Sequence, residues 1–273
     1  MAVPNLFAVM GNPIAHSLSP RIHHMFAASC GIDLEYRAIL VEPGGFAAAV
    51  QEFSDAGGRG LNVTVPFKLD AWHLAGRRSE RAELAGAVNT LIIDPDSGLA
   101  GDNTDGTGIV RDISSNLGKP IAGTRILIVG AGGAVRGVLG PLLAEQPEHV
   151  HIANRTASKA LDLAASFHEH GPVTGSGLDL PGDEDWGIVI NATAASLSGQ
   201  VPDLPAGLFA PGALAYDMMY GREPTVFLKW AAMQGAGETA DGLGMLVEQA
   251  AESFFIWHGV RPETQEVISA LRM

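Results

Sequence analysis

Sulfur, aromatic rings and charge are all scarce in this sequence. Cys30 is its one cysteine, so no disulfide can form within the chain and no set of thiolates can hold zinc. A lone cysteine suits a reducing compartment, and the expected location is cytoplasmic. Aromatic residues make up 6% and charged residues 17%, against 47% hydrophobic. That balance excludes a disordered tail and a solenoid of charged helices. No long apolar run is present. The uncharged stretch 186–202 carries Asn191, Thr193, Ser196, Gln200 and Pro202, a load no lipid-spanning helix tolerates. Residues 1–10 lack a basic segment ahead of their apolar run, so no secretory leader is expected. The Asn-x-Thr tripeptides at Asn62, Asn154 and Asn191 are therefore not expected to carry glycans. Histidine pairs occur at His149/His151 and His168/His170, without a His-Glu-x-x-His, and no metal is expected. Short-period repeats are absent as well.

What is present is a chain of 273 residues, long enough to bury roughly three quarters of its unfolded surface. Lysine and arginine number 17 against 30 aspartate and glutamate, a net charge of −13. An acidic surface argues against a nucleic-acid partner. Residues 121–160 depart from that balance, carrying Arg125, Arg136, Arg155 and Lys159 against Glu145 and Glu148 alone. An island of net positive charge points to a small anionic ligand, or is an ordinary fluctuation. The expected partner is a small molecule, with neither nucleic acid nor membrane, and the chain fits a monomer or a homodimer.

The hydrophobic pattern alternates between strand and helix throughout. In the first hundred residues, strands are predicted over 6–10, 36–40, 61–65 and 88–93. Helices are predicted over 20–28, capped by Ser19, and over 46–53. A connecting helix is predicted over 108–117, and Gly118-Lys119-Pro120 is a natural link between two lobes. Beyond it, Arg125–Val129 is the kind of apolar run buried in a parallel sheet, and further strands are predicted at 150–153, 187–190 and 214–216. Helices are expected through Leu143, over 156–168, and from Pro224 through Met233. Short links between such elements describe an α/β, doubly wound architecture. The apolar stripe Leu246, Val247, Ala250, Ala251, Phe254 and Phe255 marks a tail helix that must pack on one lobe or the other.

Gly130-Ala131-Gly132-Gly133-Ala134 follows a predicted strand and opens a predicted helix. In that setting backbone N–H groups and a helix N-terminus can approach a pyrophosphate. The third glycine of G-x-G-x-x-G is replaced by Val135. At the end of the next strand an NAD site places a carboxylate for the ribose 2′-hydroxyl. Asn154-Arg155-Thr156-Ala157-Ser158-Lys159 has none. Its two cations suit a 2′-phosphate, and cations at a helix N-terminus otherwise oppose the helix dipole. The expected cofactor is NADP.

In the first lobe, Asn62 and Thr64 share one face of a strand that Pro66 ends, and Lys68 follows. Amide, hydroxyl and ammonium together suit a hydroxylated ligand. Taken alone, Lys68 is as well explained as a surface lysine, and Asp105 beside Gly106 as a turn or cap residue.

Taken together, these residues resemble the shikimate dehydrogenases of the biosynthetic, NADP-dependent class. The resemblance spans nearly the whole chain. It rests on Gly11-Asn-Pro-Ile-Ala-His-Ser17-Leu-Ser19-Pro20, Asn62-Val-Thr-Val-Pro-Phe-Lys68, Gly86-Ala-Val-Asn89-Thr90 and Gly101-Asp-Asn-Thr-Asp105-Gly106. It continues through the glycine loop, Asn154-Arg-Thr156, Asn191-Ala-Thr193, Tyr216-Asp-Met-Met-Tyr220 and Ala240-Asp-Gly-Leu-Gly-Met245. Leu18 stands where many relatives have lysine, and Ala194 and Ala195 where many have serine.

The resemblance implies reversible reduction of the ring ketone of 3-dehydroshikimate by NADPH. It also implies two α/β lobes with the ligands in a cleft between them. One lobe would be a discontinuous substrate-binding domain, 1–105 with 243–273; the other, 106–242, a Rossmann-like NADP-binding domain. Lys68 and Asp105 would be the catalytic pair. Ser17, Ser19 and Tyr220 would hold the substrate carboxylate, and Asn62, Thr64, Asn89, Asp105 and Gln249 the ring hydroxyls. Gly130, Gly132, Gly133 and Ala134 would hold the pyrophosphate, and Asn154, Arg155, Thr156 and Lys159 the 2′-phosphate. Thr193, Met218 and Gly242 would line the nicotinamide side. The rival readings are a quinate/shikimate dehydrogenase with relaxed cofactor use, against which Arg155 and Lys159 speak, and a non-catalytic dinucleotide sensor, against which Lys68 and Asp105 speak.

Overall fold

Every residue of β1, Leu6–Gly11, is buried, as its apolar run requires of a strand covered on both faces. Leu6, Ala8 and Met10 join one core cluster while Phe7 and Val9 join another, the two-residue alternation of a pleated strand. The computed structural model describes residues 5–180 and 185–273. The chain divides into two compact units, Met1–Gly108 with Val247–Met273, and Ile109–Leu246.

After β1 the first unit contains α1 (Ser19–Cys30), β2 (Glu35–Leu40), α2 (Phe46–Asp55), β3 (Gly58–Val63), α3 (Lys68–Leu74) and β4 (Arg77–Arg78). It continues with α4 (Glu80–Ala85), β5 (Thr90–Asp94), β6 (Gly98–Asp102) and the start of α5 (Asp105–Arg111). Its sheet runs β2-β1-β3-β5-β6-β4. β1 is parallel to β2 and β3, and β5 is antiparallel to both its neighbours. Ser19 does not cap α1: it is the first helical residue, and Pro20 sits in the first turn, where its missing N–H costs nothing. β3 ends at Val63, two residues short of expectation, because Pro66 brings no N–H to a ladder. The Thr64 N–H still bonds the Met10 carbonyl at 3.0 Å. β3 also starts early, at Gly58, where a Cβ would lie 2.1 Å from the Phe53 ring.

The second unit holds β7 (Arg125–Val129), α6 (Gly133–Ala144), β8 (His149–Ala153), α7 (Ala157–Phe167) and β9 (Val173–Ser176). β10 (Trp186–Asn191), β11 (Phe209–Asp217), α8 (Val226–Met233) and β12 (Glu238–Asp241) follow. All its strand pairs are parallel, in the order β12-β11-β10-β7-β8-β9. Counted from β7, that is the 3-2-1-4-5-6 order of a Rossmann sheet, which reverses direction between β7 and β10. Thr225, not Pro224, starts α8, its hydroxyl accepting the Leu228 N–H at 3.3 Å.

The chain enters the second unit within α5, ten residues before Gly118. There α5 runs on as a π-helical turn, Asp112–Asn116. The buried Asp112 carboxylate accepts from the Tyr216 hydroxyl at 2.6 Å and from Asn116 Nδ2 at 2.9 Å. The chain returns along α9 (Leu243–His258), which begins in the second unit and ends in the first, and closes with α10 (Gln265–Arg272). α9 is bound into the first unit by charge as well as packing. Arg81 bonds both Asp102 (2.6 Å) and Glu252 (3.1 Å), and Arg261 pairs with Glu252. Burial works against charge on Asp102, but the Arg81 guanidinium, the Ser79 hydroxyl and the Asn103 N–H together outweigh it and hold that carboxyl below its ordinary range. Among the described residues no helix is long and apolar enough to cross a membrane.

Candidate active site

Lys68 and Asp105 lie 37 positions apart and meet because each opens a helix. Lys68 is the first residue of α3 and Asp105 the first of α5. Lys68 Nζ donates to Asp105 Oδ2 at 2.5 Å. The lysine side chain is 31% exposed and the aspartate 13%, so the ammonium remains accessible while the carboxylate is largely enclosed. The other Asp105 oxygen, Oδ1, accepts from Asn89 Nδ2 at 2.8 Å. Asn89 Nδ2 also lies 2.9 Å from Thr104 Oγ1 and 3.3 Å from Gln249 Oε1. The structure thus gathers Lys68, Asp105, Asn89 and Gln249, four of the residues singled out from the sequence.

Ser17, Ser19, Thr64 and Asn62 are disposed differently. Ser17 Oγ accepts the Ser19 N–H at 3.3 Å, and Ser19 is buried. Thr64 is half-buried and its methyl lies against Gly11, where a Cβ would come within 2.3 Å of it. Asn62 is turned inward and 6% exposed. Its Oδ1 takes the Tyr36 hydroxyl at 2.7 Å and faces His23 Nε2 at 3.1 Å, while its Nδ2 bonds Ser253 Oγ at 3.0 Å. Its polar capacity is spent inside the protein, which leaves nothing for the ring hydroxyl assigned to it by resemblance.

In the second unit Gly130 directly follows β7 at φ 120°, a region favouring glycine. A Cβ there would lie 3.3 Å from the Ala192 backbone. Gly132 and Gly133 are different. Neither has positive φ, both are exposed, and nothing lies within 4 Å of where their Cβ atoms would stand. Packing does not require them to be glycine. No side chain caps α6, whose first-turn N–H groups open onto that space. A bare helix N-terminus fronted by unforced glycines fits a dinucleotide pyrophosphate.

Arg155, Thr156 and Lys159 are exposed at the start of α7, whose first turn holds no acidic residue. Asn154 Nδ2 bonds the Thr156 carbonyl at 2.9 Å. The donor set, two cations and a hydroxyl without a carboxylate, fits a 2′-phosphate.

Thr193, Met218 and Gly242 converge past the ends of β10, β11 and β12. The Met218 N–H bonds the Asn191 carbonyl at 2.9 Å, and Thr193 Oγ1 donates to Asn191 Oδ1 at 2.7 Å. Gly242 is forced, since a Cβ there would sit 2.3 Å from the Met218 carbonyl oxygen. Holding this cluster is Asp217, fully buried, whose carboxylate accepts from Asn191 Nδ2 (3.1 Å), Ser196 Oγ (2.6 Å), Thr225 Oγ1 (2.6 Å) and the Met219 N–H (3.0 Å). The sequence reading passed over Asp217, although it stands inside a quoted motif. Only its donors, spread over 35 positions, reveal its role. Tyr220 is exposed in this unit, and its partial burial, with the Asp241 charge second, raises its phenol above the ordinary value.

Sheet order, glycine turn and basic strand end together define a Rossmann-type dinucleotide-binding protein, whose other unit carries a lysine–carboxylate pair. Family models match in three stretches: the shikimate dehydrogenase substrate binding domain over residues 9–91, shikimate / quinate 5-dehydrogenase over 112–197, and the shikimate 5′-dehydrogenase C-terminal domain over 242–272. The chain is 54% identical over 271 residues to the shikimate dehydrogenase (NADP(+)) of Methylococcus capsulatus, covering 99% of this chain and 97% of that one. It is 56% identical to the protein of that name from Dechloromonas aromatica, covering 98% and 97%. Among solved structures, an Ael1 enzyme from Pseudomonas putida matches with a TM-score of 0.93 at 47% identity, covering 98% of each chain. Shikimate 5-dehydrogenase from Thermus thermophilus, solved with NADP(H) and shikimate, matches with a TM-score of 0.86 at 33% identity, again over 98% of each. The chain belongs to the shikimate dehydrogenase family.

Proposed function

We propose that this protein catalyses the reversible, NADPH-dependent reduction of 3-dehydroshikimate to shikimate, the step that serves chorismate and aromatic amino-acid biosynthesis. The observation that carries the proposal is the Lys68–Asp105 pair, 2.5 Å apart, in a chain more than half identical to NADP-dependent shikimate dehydrogenases along its whole length. NADPH, when bound, supplies the hydride. Every other requirement falls to the chain's own side chains.

The ketone oxygen gains negative charge as the carbonyl carbon is reduced, and it needs a proton. Lys68 Nζ holds three N–H bonds, one of them directed at Asp105, so another is free to donate. Asp105 keeps the ammonium in place and, with Asn89 and Gln249, offers polar atoms to ring hydroxyls; Thr64 adds a hydroxyl. Ser17, Ser19 and Tyr220 supply hydroxyl donors for the substrate carboxylate. Gly130, Gly132, Gly133 and Ala134 hold the pyrophosphate. Asn154, Arg155, Thr156 and Lys159 hold the 2′-phosphate, and Thr193, Met218 and Gly242 the nicotinamide side. Asn62 is left out of substrate binding because its amide is already satisfied.

Initial rates with shikimate or quinate, each with NADP or NAD, test the proposal. Turnover concentrated in shikimate with NADP is the expected result. Equal turnover of quinate with NAD would make the protein a quinate/shikimate dehydrogenase of relaxed cofactor use. No turnover despite NADP binding would make it a sensor.

A further inference from the structure

A chain of hydrogen bonds in the first unit runs from the buried core to the Lys68–Asp105 pair. It starts at His23, fully buried and stacked 4.3 Å from the Tyr36 ring. Burial holds the imidazole neutral, with its pKa lowered to about 3, so the ring carries one N–H. Nδ1 has no partner, and Nε2 lies 3.1 Å from Asn62 Oδ1, which places the proton on Nε2. Asn62 Oδ1 also accepts the Tyr36 hydroxyl at 2.7 Å. With both its lone pairs used, the Asn62 amide has one orientation. Its Nδ2 points at Ser253 Oγ (3.0 Å) and Thr90 Oγ1 (3.3 Å).

Those hydroxyls accept from Asn62, which leaves their own protons to be passed on. Ser253 Oγ lies 2.7 Å from Thr90 Oγ1, where either hydroxyl can be the donor, and 3.1 Å from the Gln249 carbonyl; when Ser253 donates to Thr90, the Thr90 proton is left for Asn89. Thr90 Oγ1 lies 2.9 Å from Asn89 Oδ1, which also receives the Thr104 N–H at 2.9 Å. A backbone N–H is only a donor, so Asn89 Oδ1 faces Thr104 and Asn89 Nδ2 must face Asp105 Oδ1. That leaves Asp105 Oδ2 for Lys68. Thr90, Thr104 and Ser253 are all wholly buried, so water cannot stand in for a missing link.

We propose that Thr90 is a positioning residue for the Lys68–Asp105 pair. Its hydroxyl, directed by Asn62, holds the Asn89 amide, and that amide aims the Asp105 carboxylate. Asn62 then serves the reaction from the core and never touches substrate. The proposal rests on the reading that Lys68 and Asp105 handle the proton.

Four full-length variants test it: Thr90→Val, Thr90→Ser, Asn89→Ala and the double variant Thr90→Val/Asn89→Ala. Thr90→Val keeps the shape and removes the donor. It is expected to lower kcat about fivefold to tenfold, with KM for shikimate within twofold. Thr90→Ser restores kcat, because the hydroxyl returns. In the Asn89→Ala background Thr90→Val costs nothing further, since Thr90 acts through Asn89. A serine variant as slow as the valine variant, a loss confined to KM, or the same loss in both backgrounds would overturn the proposal. Exchange of the Asn89 side-chain amide protons in ligand-free protein gives a second readout that needs no turnover. It is expected to be slow in the unaltered protein and in Thr90→Ser, and at least tenfold faster in Thr90→Val. Thr90→Ala replaces the valine variant if that one does not fold. An exchange rate indifferent to the hydroxyl refutes Thr90 as the positioning residue. If the unaltered protein fails to oxidise shikimate, the assigned reaction fails, while the exchange measurement still decides what Thr90 does.

Discussion

Arg155→Ala should separate the two nicotinamide nucleotides. Arg155 and Lys159 stand exposed at the N-terminus of α7 with no acidic residue in its first turn. Because the guanidinium is exposed, its attraction for a phosphate lies towards the aqueous limit. A pair of unit charges 4 Å apart is worth about 1 kcal/mol in water and about 4 kcal/mol near a protein surface. A charge-assisted hydrogen bond contributes about 1.5–3 kcal/mol. With Lys159 left in place, a loss of about 2 kcal/mol is expected, a factor of about thirty in affinity. Titration calorimetry of NADP and NAD against both proteins measures it. The Kd for NADP should rise about thirtyfold and that for NAD stay within twofold, because NAD has no phosphate at that position. Raising the salt should narrow the difference, since exposed charges are screened over about 10 Å at 0.1 M. Equal weakening of both nucleotides would refute the argument, because it would make Arg155 a prop for α7 and not a ligand for the phosphate.

Other predictions follow from the remaining geometry. Lys68→Ala should lower kcat about 10²- to 10⁴-fold with KM for shikimate little changed; a large KM effect with kcat intact would contradict a proton-donor role. Gly133→Ala should leave the melting temperature unchanged or higher, since its Cβ meets nothing, yet weaken NADP binding about tenfold; calorimetry and a thermal melt check both. Asp217→Ala removes the acceptor of four hydrogen bonds and should lower the melting temperature and weaken NADP binding; a thermal melt and calorimetry check both. His23 is held neutral in the folded state with a pKa of about 3, against about 6.5 unfolded, so the unfolded chain takes up the proton first. Its contribution to stability is present above about pH 6.5 and falls as the pH drops towards 3, by about 2 kcal/mol between pH 7.5 and pH 5. Denaturant melts across that range should show a loss that His23→Gln reduces.

The second unit was the more legible in sequence. Its central strands β7 and β10 are buried on both faces, so 125–129 and 187–190 read as unbroken apolar runs, and the glycine turn stands where the pattern changes period. The first unit hid more. α3 and α4 are seven and six residues long, too short for helical periodicity to emerge, and β4 has only two residues. The start of α5 at Asp105, three residues before the expected helix, has the same origin, because Asp-Gly-Thr-Gly resembles a turn in composition. Lys68 and Asp105 were recognisable as residues, but their meeting depends on two helix starts 37 positions apart. Asn62 shows the limit most clearly. Alternation correctly placed it on one face of a strand, but could not reveal that Tyr36, His23 and Ser253 meet it there.

The return of α9 to the first unit bears on how the chain is made. Ser253, Phe254, Trp257 and Arg261 fill or clasp that unit, yet they leave the ribosome 151 to 159 residues after Asp102, the end of its last strand. Domains fold as units while synthesis proceeds. The parallel sheet of the second unit therefore has all its strands in hand first, whereas the earlier half must wait, with part of its apolar surface uncovered, until the last helices emerge. The unit begun first is the one completed last.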